Sequence, residues 1–178
     1  MKRISFQGER GAYSEAASVL FFEDEIETIP CSTFANALKN TENGASDYSI
    51  LPVENSLEGS VGESIDLLLS TNLNVVGEIY HRIHHCLIGT GPLAEITVVH
   101  SHPQALGQCR KFIYENDLVL MPSYDTAGSV KIIRDNHTDF ESCIASKEAA
   151  KIYDVPVIQE GIEDNANNYT RFLIFSKE

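Results

Sequence analysis

The hydrophobic pattern of this chain changes period repeatedly, from short apolar runs that suit strands to spacings that suit one face of a helix. Residues 4–7 read as a strand, followed by Gly8-Glu9-Arg10-Gly11 and a predicted helix over 13–22. Residues 27–30 read as a second strand. Ser32 or Thr33 then caps a helix that runs to about residue 39 and stops near Gly44. The apolar run 48–53 leads straight into Glu54-Asn55-Ser56, and a helix over 62–70 carries Ile65, Leu68 and Leu69 as its apolar stripe. Strands are predicted over 74–80 and 85–88.

The pattern then restarts. A strand over 96–100 precedes Pro103, which sits where a first helical position belongs, and that helix runs to about residue 114. Further strands fall at 118–121, 142–145, 155–159 and 170–175, with helices from Asp125-Thr126 to about 134 and over 147–153. Strands alternating with helices imply an α/β protein with parallel sheets. The two restarts imply two Rossmann-like lobes around a central cleft. Lobe one is expected to hold residues 1–77 plus the returning strand 170–178, and lobe two residues 78–169, so the chain crosses twice and forms a hinge. Ligands of such sheets sit beyond the C-terminal strand ends. Four loops gather there (8–11, 54–62, 101–104 and 124–127), each leading into a helix whose first N–H groups could face an anion.

Composition narrows the functional classes. The 178 residues can bury a core, and 43% hydrophobic with 22% charged residues is ordinary for a globular protein. A net charge of −13 argues against nucleic acid, whose phosphates need a basic field. It does not exclude a small anion held by helix N-termini. No apolar run approaches the ~20 residues of a membrane span. The opening Met1-Lys2-Arg3-Ile4-Ser5-Phe6-Gln7 turns polar at once, so a cytoplasmic location is expected. Cys31, Cys86, Cys109 and Cys143 stand singly, which favours reduced, buried thiols.

Two segments carry candidate chemistry. In Glu54-Asn55-Ser56 a strand ends in neutral donors that could bind a carboxylate or hydroxyl, although Asn and Ser are equally at home in turns. In Asn168-Tyr169-Thr170-Arg171-Phe172 a Thr hydroxyl lies beside an Arg, although Thr, Tyr and Phe also favour plain strands. A period of two puts Thr170 and Phe172 on one face and Arg171 on the other, which favours Thr170 as the cleft residue. His81, His84 and His85 invite a metal reading but lack a third ligand at suitable spacing. His102 either caps the next helix or faces the cleft. Gly8-x-x-Gly11 is neither a Walker loop nor a dinucleotide fingerprint, so no metal, nucleotide or other cofactor is expected. These residues alone do not choose between an enzyme and a binding module.

Taken in order, several segments resemble the prephenate dehydratase family. They are Gly8 through Ala17, the block LPVENSLEGS at 51–60, His102-Pro103-Gln104-Ala105-Leu106 with Gln108-Cys109, Asp125-Thr126-Ala127, and Asn168-x-Thr170-Arg171-Phe172. The match covers essentially the whole chain. The resemblance implies a fold like the type II periplasmic-binding proteins and a cofactor-free lyase that converts prephenate, a small dicarboxylate, to phenylpyruvate. It implies Thr170 as the residue closest to catalysis. Asn55, Ser56, Ser14, Thr126 and Asn168 would line the substrate site, with Arg171 and Phe172 from the same block. Ala12 replaces a Thr common in the family, a variant shared with plant arogenate dehydratases, so arogenate is the alternative substrate. A non-catalytic small-anion binder of the same fold is the alternative from another class. Family members usually continue into an ACT regulatory domain, which is not expected in this chain, and a homodimer is expected by the same resemblance.

Overall fold

A computed structural model describes residues 1–23 and 25–178. The first unit comprises Met1–Glu9, Tyr13–Ile83 and Asn167–Glu178, and the second Arg10–Ala12 and His84–Ala166. The divide falls at 83/84 rather than 77/78, because the strand from Asn74 to Arg82 is one continuous element. The return falls at 166/167 rather than 169/170. The excursion of Arg10–Ala12 adds two crossings to the two expected.

In chain order the first unit carries β1 (Lys2–Gln7), α1 (Tyr13–Phe22), β2 (Ile26–Cys31), α2 (Phe34–Glu42), β3 (Tyr48–Asn55), β4 (Gly59–Ser60), α3 (Gly62–Ser70) and β5 (Asn74–Arg82). The second carries β6 (Cys86–Ile88), a 3₁₀ turn, β7 (Val98–Ser101), α4 (Pro103–Gln108), α5 (Arg110–Glu115), β8 (Val119–Pro122), α6 (Gly128–Asn136), β9 (Glu141–Ala145), α7 (Lys147–Tyr153) and β10 (Val157–Glu160). The last strand, β11 (Tyr169–Ser176), returns to the first unit.

The first sheet runs β2-β1-β3-β11-β5, with β4 on the end of β3. Strands β1, β2 and β3 are parallel, whereas β11 runs antiparallel to both β3 and β5. The second sheet runs β10-β6-β9-β7-β8. There β7 is parallel to β8 and β9, while β6 is antiparallel to β9 and β10. Both sheets are therefore mixed rather than wholly parallel. Apart from the short β4 on β3, antiparallel pairing enters with β6 and β11, the first strands after the chain passes between units.

Period-two alternation builds the second core. Cys86 and Ile88 of β6, with Cys143 and Ala145 of β9, meet Val130, Ile133 and Ala149 on one face. Leu87 and Ile144 meet Leu106, Phe112 and Ile113 on the other. Burial on both faces explains the unbroken apolar runs Cys86–Ile88 and Cys143–Ala145. In the first unit Leu51, Val53, Leu173 and Phe175 pack with Ala37 and Leu38 of α2 and with Ile65, Leu67 and Leu68 of α3. The α3 stripe thus takes Leu67, while Leu69 is 82% exposed.

Local signals fix the helix ends. Thr33 caps α2 by accepting the Asn36 N–H at 3.1 Å, and His102 caps α4 by accepting the Gln104 N–H at 3.2 Å. The helix expected over 103–114 breaks at Cys109 into α4 and α5. Gly11 has φ +89°, and a Cβ there would lie 2.5 Å from the Ala149 backbone. Only glycine fits so close an approach. Its carbonyl accepts the Ser146 hydroxyl at 2.7 Å, which fastens residues 10–12 to the start of α7.

Candidate active site

The end of β3 meets the start of β11, with Asn55 directly opposite Thr170. Asn55 is 3% exposed, Asn168 0% and Thr170 8%, so their polar groups must satisfy one another. The side-chain oxygen of Asn55 accepts the N–H groups of Leu57 at 3.0 Å and Glu58 at 3.1 Å. That leaves the amide nitrogen as donor. It donates to Oδ1 of Asn168 at 2.8 Å and to Oγ1 of Thr170 at 3.0 Å, with a longer contact to the Tyr169 carbonyl at 3.3 Å. Thr170 is therefore an acceptor toward Asn55, which leaves its own O–H hydrogen available to another acceptor. A hydroxyl that already accepts is polarised and becomes a better donor.

Ser56 fastens the same corner. Its hydroxyl donates to the Asn167 carbonyl at 3.0 Å and accepts the Tyr169 N–H at 2.9 Å, while its own N–H donates to the Tyr169 carbonyl at 2.8 Å. Val53 is left over between the pairs Arg171–Glu54 and Phe172–Pro52, which makes a bulge in β3. Bulges re-aim side chains beside functional sites. Here the bulge puts Asn55 out of phase with Leu51 and Val53 below it and onto the face of Thr170 and Phe172.

The other expected site residues divide. Ser14 is buried in the first turn of α1. Its neighbour Tyr13 lies 6.1 Å, ring to ring, from His81, and His81 sits directly opposite Thr170 across β5. Thr126 belongs to the second unit, half-buried just before α6. Arg171 turns to the opposite face of β11, as the period of two requires, and its Nε donates to Glu78 at 2.8 Å. Phe172, 2% exposed, is a core residue of the sheet. His81 was weighed in sequence only as a metal ligand, because the register of β5 against β11 cannot be read from local pattern. Of the other clustered histidines, His84 Nδ1 lies 2.8 Å from Glu163, and His85 Nε2 lies 2.8 Å from the Gln108 oxygen. Among the described residues no three His, Cys, Asp or Glu side chains form a metal-binding group.

The loops before helices satisfy many of their own amides. Asn55 takes those of Leu57 and Glu58, His102 takes that of Gln104, and Gly8 donates to the Cys31 carbonyl at 3.0 Å. Asp125 accepts the Gly128 N–H at 2.7 Å. These amides are therefore not open to an anion. The thiols are inert by burial: it pushes Cys86 up to about 11 and raises Cys109 and Cys143 further. Cys31 is only half-buried. Among the described residues no helix is long and apolar enough to cross a membrane.

Two mixed α/β units, with the last strand returning to the first and a hydroxyl–amide cluster at the strand ends, define a two-lobe α/β fold of the periplasmic-binding type. Solved structures of that type agree in fold alone: a periplasmic substrate-binding protein from Coxiella burnetii superposes with a TM-score of 0.51 at 8% identity. The match to the family model described as prephenate dehydratase runs over residues 4–178, and the chain belongs to that family. An Arabidopsis thaliana arogenate dehydratase/prephenate dehydratase is 39% identical across 99% of this chain, which spans 46% of that relative. The chain thus spans about half the length of the curated relatives it matches. A prephenate dehydratase from Arthrobacter aurescens, solved with L-Phe, superposes with a TM-score of 0.89 at 26% identity, covering 99% of this chain and 60% of that one. A structure described as a novel type of quorum-quenching acylase superposes with a TM-score of 0.90 at 35% identity, covering 99% and 64%.

Proposed function

We propose that this chain is a carbon–oxygen lyase that removes water and carbon dioxide from prephenate and leaves phenylpyruvate. The observation that carries this reading is the polarity of the Asn55–Thr170 pair: Asn55 donates, so the Thr170 hydroxyl has its hydrogen to give. The reaction needs little more than placement. As the carboxylate departs as carbon dioxide, its electron pair flows into the ring, the ring hydroxyl leaves, and the product becomes aromatic. One proton must reach the leaving oxygen to release it as water, and Thr170 donates the hydrogen bond there. A preorganised donor of this kind stabilises charge that develops only in the transition state. Asn55 and Asn168 hold Thr170 in place, and Ser56 holds the backbone that carries it.

Arogenate, with an amino group in place of the keto oxygen, is the alternative substrate, supported by the plant relatives and by Ala12. The 35% identical structure described as an acylase supports a second reading, hydrolysis of an acyl amide. An acyl-transfer nucleophile needs a neighbour that takes its proton. Asn55 does the reverse, which favours the dehydratase. We also read the protein as a cytoplasmic homodimer acting on small molecules, without nucleic acid or membrane partners. The test is incubation of the chain with prephenate, arogenate and an N-acyl amide separately. Formation of phenylpyruvate, seen by its absorbance in alkali, supports the first reading, and phenylalanine from arogenate supports its alternative. Acid release from the amide alone overturns both.

A further inference from the structure

Strand β5 sorts its side chains by charge. Glu78, Tyr80 and Arg82 stand exposed on one face, and the strand register sets Arg171 and Glu54 on that same face. Gly77, Ile79 and His81 turn to the other face, which α1 covers. A Cβ on Gly77 would strike the Phe21 ring, and the Tyr13 ring lies 6.1 Å from that of His81. Tyr13 and Phe21 are eight helical residues apart, and His81 and Gly77 four strand residues apart. These spans of ~12 and ~13 Å keep helix and strand in step.

His81 and Thr170 are direct partners across the β5–β11 pair. Such partners share a face with Cβ atoms roughly 5 Å apart, within the span of an imidazole. Their access to solvent differs. Thr170 is 8% exposed, whereas His81 is half-buried and can exchange protons with water. Around His81, α1 presents the Tyr13 phenol, while its carboxylate, Glu15, accepts the Thr28 hydroxyl on β2 at the far edge of the sheet. On this face β11 presents Thr170 and Phe172, both uncharged.

We propose that protonated His81 supplies the proton that Thr170 passes to the leaving oxygen. This rests on the dehydratase reading above and names the source of the proton it needs. The Thr170 oxygen has two acceptor positions, and Asn55 fills one. The imidazolium N–H fills the second, directly or through one water, and so turns the Thr170 hydrogen toward the substrate. In the reaction the bond from the ring to the carboxylate carbon and the ring carbon–oxygen bond both break. The Thr170 proton joins the departing hydroxide to make water, and the imidazolium proton moves to the Thr170 oxygen. His81 ends neutral and regains its proton from solvent, so one proton is consumed per turnover. His81 acts through Thr170 and is a positioning residue.

The pH dependence of prephenate turnover tests this with the full chain, far-ultraviolet circular dichroism confirming that each variant folds. Wild-type kcat/KM should fall as the pH rises through the range in which imidazoles titrate. His81→Gln keeps a donor but cannot titrate. Its kcat should drop by roughly a hundredfold at about pH 6, with KM little changed and the pH profile flat. His81→Asn stands in should the glutamine variant misfold. NMR of the His81 ring in the free wild type needs no variant, and its titration midpoint should coincide with that of kcat/KM. A variant that loses rate but keeps the wild-type pH profile overturns the proposal and leaves His81 a structural residue. So does a His81 midpoint that stands apart from the kinetic one. A wild type that forms no phenylpyruvate at any pH overturns the dehydratase reading itself.

Discussion

Each unit holds a buried polar cluster built partly from amide side chains, and the two differ in what they leave over. In the second unit His85 is 2% exposed and shares a hydrogen bond with Gln108. Glu163 accepts the His85 N–H at 3.0 Å and meets His84 with its other oxygen. These groups satisfy one another and hold the segment after β5 to the segment after β10. In the first unit the same accounting ends with a remainder, the Thr170 hydrogen. A closed cluster fixes backbone, whereas a cluster with a directed hydrogen left over can act on a substrate.

The sharpest way to break this contrast is to reverse the polarity of the first cluster. Asn55→Asp keeps the shape but cannot donate, so the carboxylate would draw the Thr170 hydrogen to itself. Turnover should fall by ~10²–10³, the usual cost of losing one preorganised donor. Steady-state kinetics with prephenate checks this, and a variant of unchanged turnover would remove the polarity argument. In the closed cluster the effect should fall on folding. Gln108→Leu strands the buried His85 ring and should cost ~1–3 kcal/mol in denaturant titration while turnover stays close to wild type.

A pH series sharpens the contrast further. Burial lowers the His85 pKa below its ordinary value, with the Gln108 hydrogen bond and Glu163 opposing. The unfolded chain then binds more protons at this position, so stability is full above pH ~6.5 and is lost as the pH falls through that value. Thermal melts from about pH 7.5 to 5 should slope downward, and His85→Asn should flatten the slope. The smallest effect is expected from Arg171→Gln. Its side chain lies on the opposite face of β11 from Thr170, so kcat/KM for prephenate should barely move. A large loss there would mean that β11 bends more than its register shows.

Much of the fold was legible from local signals. The periodicity located nearly every strand, and capping chemistry and Pro103 placed helix starts. Thr170 over Arg171 followed from a period of two. What escaped was non-local. Asn55 and Asn168 meet across 113 residues of sequence, and the bulge at Val53 sets the phase of Asn55. Neither leaves a trace in a short window. The same holds for His81 opposite Thr170, for the antiparallel entry of β6 and β11, and for the fastening of Gly11 to Ala149. The Gly8-x-x-Gly11 pattern did signal a constrained loop, but not that residues 10–12 would join the second unit.

In the proposed reaction the Thr170 hydroxyl, held by Asn55 as an acceptor, donates its hydrogen to the leaving oxygen. The most direct measurement is turnover of prephenate by wild type, Thr170→Ser and Thr170→Val, each with its unfolding free energy. Serine keeps the donor and should retain most of the activity. Valine keeps the shape and should lose ~10²–10³ in kcat, while the lost hydrogen bond costs only ~1 kcal/mol of stability. A folded valine variant that turns over at the wild-type rate would contradict the account and leave Thr170 a strand residue.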